Sequence, residues 1–118
     1  MATHNDLGKE GETLAVDYLI QKGHRIIAQN YRYEKAEVDI ISDHDGTIVF
    51  TEVKTRSTDW YGYPEEAISL KKKEMLRLAM EHYLTENNIT EEARFDIVSI
   101  VINDRGTDIH HIEDAFYH

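Results

Sequence analysis

The stretch EVDIISDHDGTIVFTEVKTR, residues 37 to 56, limits the fold more than any other part of the chain. EVDIIS and TIVFTEVKT alternate at period two around DHDG, where Gly46 is free to take positive φ, and this pattern predicts a β-hairpin. With the turn centred on His44 and Asp45, Asp43 pairs with Gly46, Asp39 with Phe50 and Glu37 with Glu52. One face then carries Glu37, Asp39 and Ile41 with Ile48, Phe50, Glu52 and Lys54, and the other carries Val38, Ile40, Val49 and Val53. A strand pair apolar on both sides belongs in the middle of a sheet that is covered on both faces. Carboxylates placed there repel one another and need a proton or a cation.

The rest of the chain supplies the cover. Residues from Asp6 to about Lys22 have helical spacing and stop at Gly23. HRIIAQNYRY reads as a strand, and STDWYGYP as a loop. Ser69 is placed to cap a helix running to about Leu84, after which RFDIVSIVI is a strand and TDIHHIEDAF an edge strand. The expected order is α-β-β-β-α-β-β, an α/β fold with a mixed central β-sheet flanked by helices in a single domain, residues 1–118.

Both helices add polar groups to the hairpin. Glu12 lies on the stripe of Gly8, Ala15 and Leu19, which makes it a candidate fourth carboxylate, and Gly8 and Gly11 are expected to let that helix approach the sheet closely. Lys72 shares a stripe with Leu76, Ala79 and Tyr83, which sends its ammonium inward, whereas Lys71 and Lys73 face solvent. An all-oxygen cluster suits a hard cation such as Mg2+ or Mn2+. Plainer readings exist for each group: Glu12 as a solvated helix charge, Glu37 paired with Arg32 or Arg56, and Lys54 paired with Glu52. Trp60, Tyr61 and Tyr63 suit stacking on unpaired bases or, more commonly for such loops, covering a core edge. His110 and His111 beside Glu113 and Asp114 do not make a metal site, because adjacent strand residues point to opposite faces.

Composition narrows the function classes. The chain has no cysteine, which excludes disulfides and thiolate metal sites and suits the cytoplasm. MATHNDLGKEGE lacks the basic start and apolar run of a signal peptide, and nothing later reaches the roughly 18 apolar residues of a membrane span. The net charge of −10 opposes simple nonspecific binding to nucleic acid. That charge is unevenly spread. Residues 78 to 118 hold nine acids against Arg94 and Arg105, while Lys54, Arg56, Lys71, Lys72, Lys73 and Arg77 offer a local basic rim.

Asp39 followed by Glu52-Val53-Lys54, with a glutamate on a preceding helix, resembles the PD-(D/E)xK nuclease superfamily. GKEGETLAVDYLIQKGHRIIAQNYR, EVDII, VFTEVKTR, PEEAISLKKKEMLRLAMEHYL and RFDIVSI, in that order, resemble the bacterial YraN family of endonuclease-like proteins, related in fold to Holliday-junction resolvases. The likeness spans nearly the whole chain. Ala36 departs from the glycine usual before Glu-x-Asp, and the proline of the superfamily's motif is absent; neither change removes a proposed ligand.

The resemblance implies a restriction-endonuclease-like core and hydrolysis of DNA phosphodiester bonds assisted by Mg2+ or Mn2+, on branched or repair intermediates. It implies that Asp39 and Glu52 hold the ion, with the Val53 carbonyl as a further ligand, and that Glu12 binds through water or supports a second ion. Lys54 would orient the attacking water and stabilise transition-state charge. Glu37 is then a supporting or extra ligand, and Arg56 and Lys72 hold phosphate. A homodimer or a basic protein partner would complete the DNA surface. Two rival readings are a nucleic-acid-binding module that keeps this fold without turnover, and a glycosidase whose two acids stand about 5 to 9.5 Å apart.

Overall fold

The computed structural model describes residues 4–57 and 68–116. Its elements are α1 (His4–Gln21), β1 (Arg25–Tyr33), β2 (Ala36–His44), β3 (Thr47–Arg56), α2 (Leu70–Glu86), β4 (Ala93–Asn103) and β5 (Gly106–Phe116), in the expected order. They form one five-stranded sheet in the order β1-β2-β3-β4-β5. Neighbouring strands are antiparallel except β3 and β4, which run parallel over Ile48↔Ala93 to Arg56↔Val101. A parallel pair needs a long crossover, and the segment containing α2 provides it.

Each helix covers one face. Leu76, Ala79, Met80 and Tyr83 of α2 pack on Val38, Ile41, Phe50, Phe95 and Ile97, whereas Ala15 and Leu19 of α1 pack on Ile40, Val98 and Ile100. The central strands are therefore apolar on both sides, as their sequence requires. Ser69 caps α2 by accepting the Lys72 N–H at 3.1 Å. Of the two glycines in α1, Gly11 serves the close approach: a Cβ there would stand 1.8 Å from Thr55 Oγ1. Gly8 does not, since no atom of the described residues lies within 4 Å of its Cβ position.

The hairpin differs from its expected register. His44 pairs with Thr47 and Ile41 with Phe50, so the turn is centred on Asp45 and Gly46, at φ 51° and 91°. A two-residue turn of this kind requires positive φ at both central positions, which Asp-Gly adopts more readily than His-Asp. Asp43 reinforces it by accepting the Gly46 N–H at 2.9 Å.

The strict alternation expected of β2 also fails. Val38 and Ile41 both pack under α2, while Ile40 packs under α1, so the facing slips around Asp39. On β1, Asn30 between the pairs Gln29↔Ile40 and Tyr31↔Val38 has a φ of 55°. Glu37 and Asp39 consequently do not share a face with Phe50. Among the described residues, no helix is long and apolar enough to cross a membrane.

Candidate functional site

The β2–β3 ladder stops at Ile40↔Thr51, although β2 continues beside β1 to Ala36 and β3 continues beside β4 to Arg56. Two central strands thus part company while each keeps its outer partner. The Val53 N–H, left without a β2 carbonyl, donates instead to Asp39 Oδ2 at 2.7 Å. Strand N–H groups lie near the plane of the sheet, so this bond places the Asp39 carboxylate in the cleft between the strands.

Acids arrive at the cleft from both sides. Toward α1, single carboxylate oxygens of Glu12, Glu37 and Asp39 lie within 4.8 Å of one another. Glu12 is carried there by the helical turn that Gly11 lets down onto Thr55. Glu37 also accepts from Arg32 at 2.8 Å, so the plainer pairing and membership of the cluster hold together. Toward α2, Glu52 is buried, and its Oε1 accepts from Lys72 Nζ at 2.9 Å. Its Oε2 is buried with no hydrogen-bond partner among the described residues.

Burial and crowding together shift two of these acids. Burial, then the charge of Glu52, then Glu12 and Glu37, push Asp39 up to about 8 against the opposing Val53 N–H. Burial also raises Glu52, opposed by Lys72 and, more weakly, by Lys54.

Of the expected cations, Lys72 makes the direct contact. Lys54 and Arg56 follow Glu52 at alternate positions of β3, with Lys54 exposed and Arg56 half-buried. Arg77 leaves the basic rim, being tied to Glu74 and Glu81 on its own helix. Val53 enters through its N–H to Asp39. Trp60, Tyr61 and Tyr63 lie outside the described residues.

One polar centre was not foreseen. Asp96 on β4 is fully buried yet accepts from Arg94 Nε at 3.0 Å, from His111 at 2.7 Å and from the Asp114 N–H at 3.0 Å. Burial pushes its pKa up, but the bonds from His111, Arg94 and the Asp114 N–H outweigh burial and hold it low. His111 also meets the Tyr18 hydroxyl at 3.2 Å, so this network fastens edge strand β5 to α1 and β4. Its sequence signal was an acid inside the mostly apolar FDIVSIV, with an arginine two positions earlier on the same face.

The model of the "Uncharacterised protein family UPF0102" matches residues 11–100. A UPF0102 protein of Christiangramia forsetii is 49% identical over 118 residues, covering all of this chain and 99% of the relative. One from Flavobacterium psychrophilum is 42% identical with the same coverage. Another, from Persephonella marina, is 44% identical over 110 residues, covering 92% of this chain and 91% of its own. The chain belongs to the UPF0102 family.

Proposed function

We propose that this UPF0102 protein is a divalent-metal-dependent nuclease that hydrolyses DNA phosphodiester bonds, with its centre at the β2–β3 cleft. The observation that carries this reading is the gathering of Glu12, Glu37 and Asp39 oxygens within 4.8 Å of one another at one strand gap. Glu52 lies outside that group but close enough for its charge to raise Asp39, and its buried Oε2 lacks a hydrogen-bond partner among the described residues. Exposed acids cluster commonly without consequence, but buried carboxylates are costly unless neutralised. The donors are all oxygen, and they fit Mg2+ or Mn2+.

Asp39 and Glu52 would hold the ion, supported by Glu12 and Glu37. When bound there, such an ion would supply Lewis acidity toward a phosphoryl oxygen and a water. Lys54, exposed on the same strand, orients the attacking water and offsets charge building on the phosphate; Arg56 and Lys72 position the phosphate. Burial first, and then the charges of Glu52, Glu12 and Glu37, raise Asp39, and the part of that shift owed to the acids is what a bound cation would relieve. We place the enzyme in the cytoplasm, acting on branched or repair intermediates, with a homodimer or a basic partner completing its DNA surface.

The net charge of −10 favours a second reading, a nucleic-acid-binding module that keeps the acids without turnover. Incubation of purified protein with branched, single-stranded and duplex DNA in Mg2+ or Mn2+ separates the two. Cleavage by the native protein, reduced about a hundredfold or more in Lys54→Ala, supports the enzyme. Binding without product from any substrate supports the module.

A further inference from the structure

We propose that Lys72 is a displaceable counter-ion: its ammonium holds Glu52 in the cation-free protein and leaves when a divalent cation takes that carboxylate. The inference rests on reading the cleft as a metal site and adds a coupling between metal and phosphate. The two partners of the pair differ in burial, with side-chain exposure of 45% for Lys72 and 10% for Glu52. The carboxylate is fixed inside the protein, and the lysine reaches it from solvent on a flexible stem. Its own backbone N–H is held by Ser69 Oγ at 3.1 Å, so release needs only side-chain rotation.

The pair is also incomplete. Lys72 serves Oε1, while the buried Oε2 has no hydrogen-bond partner among the described residues. One ammonium leaves half of a buried carboxylate unserved, and a doubly charged ion with open coordination positions suits the group better.

Position on the helix supplies the direction of movement. Lys72 is in the first turn of α2, which contains no acid. The helix dipole disfavours cations at an N-terminus, and here the offsetting anion is Glu52. Once Glu52 is engaged by metal, the ammonium sits at a positive helix end beside Lys71 and is drawn to an anion, for which a DNA phosphate is the nearest chemical match. Metal and DNA then strengthen each other's binding through one side chain.

Calorimetric titration with Mn2+ tests this on the native chain, Lys72→Met and Lys71→Met. Removing the competing ammonium predicts Mn2+ binding about tenfold tighter in Lys72→Met, equivalent to about 1.4 kcal/mol. Lys71→Met makes the same charge change one residue away and should shift affinity less than about twofold, as expected of a screened surface charge. Equal effects from both variants, or weaker binding by Lys72→Met, overturn the counter-ion role and leave the metal site standing. No Mn2+ binding by any of the three overturns both. Acetylation of the native protein by an activated ester, read by mass spectrometry, avoids dependence on the folding of a variant. Lys72 should label several-fold faster once Mn2+ is bound while Lys71 stays constant; an unchanged Lys72 rate with bound metal overturns the proposal alone.

Discussion

At the scale of single residues, Asp39 concentrates the conflict in the cleft. A carboxylate that accepts a backbone N–H ordinarily titrates low, yet burial and the surrounding acids raise Asp39 to about 8. The unfolded chain has an ordinary aspartate near pH 4, so the folded state binds this proton more tightly. Its contribution to stability is fullest below that value and is lost as pH rises through about 8. Urea denaturation should therefore show the metal-free native protein weakening from pH 5 to pH 8, with a smaller decline in Asp39→Asn. Mn2+ at a hundred times its Kd should restore about 2.7 kcal/mol to the native protein at pH 8 and little to the variant. Equal stabilisation of both would remove Asp39 from the site.

At the scale of elements, close contact between α1 and β3 delivers Glu12, and the two glycines of α1 separate contact from mere permissiveness. Gly11→Ala drives a Cβ into Thr55 and should cost about 1 to 3 kcal/mol, as overpacking does. Gly8→Ala meets none of the described residues and should stabilise by up to about 1 kcal/mol through helix propensity. Chemical denaturation of the two variants checks the opposite signs. The order of elements and the Ser69 cap were legible because each is settled within a few neighbouring residues; Lys72 does reach Glu52, but it is exposed, and Lys73, expected to face solvent, is the more buried of the two. The turn centre needed the φ preferences of Asp45 and Gly46 to be weighed against those of His44, and a period-two pattern does not do this. Nor can a pattern show where a ladder ends. The slip at Asp39, which turns Glu37 and Asp39 toward Glu12, comes from strand pairing across β1, β2 and β3. Asp96 was hidden for a related reason, since its partners His111 and Asp114 come from a strand that follows a turn.

At the scale of the whole molecule, the net charge of −10 restricts how DNA can be held. With Arg77 neutralised on its own helix, the rim is reduced to Lys54, Arg56, Lys71, Lys72 and Lys73. In Lys54→Ala, four phosphate contacts at most would remain, and log K against log salt should slope no more steeply than about −3.6. Fluorescence anisotropy in Mn2+ checks this; a slope well beyond that figure would show that another surface or another subunit supplies cations. The family match and the folded sheet leave the central question at one place, the gap between β2 and β3. Anomalous scattering from a crystal soaked in Mn2+ tests it most directly. A peak about 2 Å from oxygens of Asp39 and Glu52, with Glu12 beside it, is the predicted result. A well-occupied Mn2+ elsewhere, with Lys72 still on Glu52 and the cleft without a peak, would contradict the account.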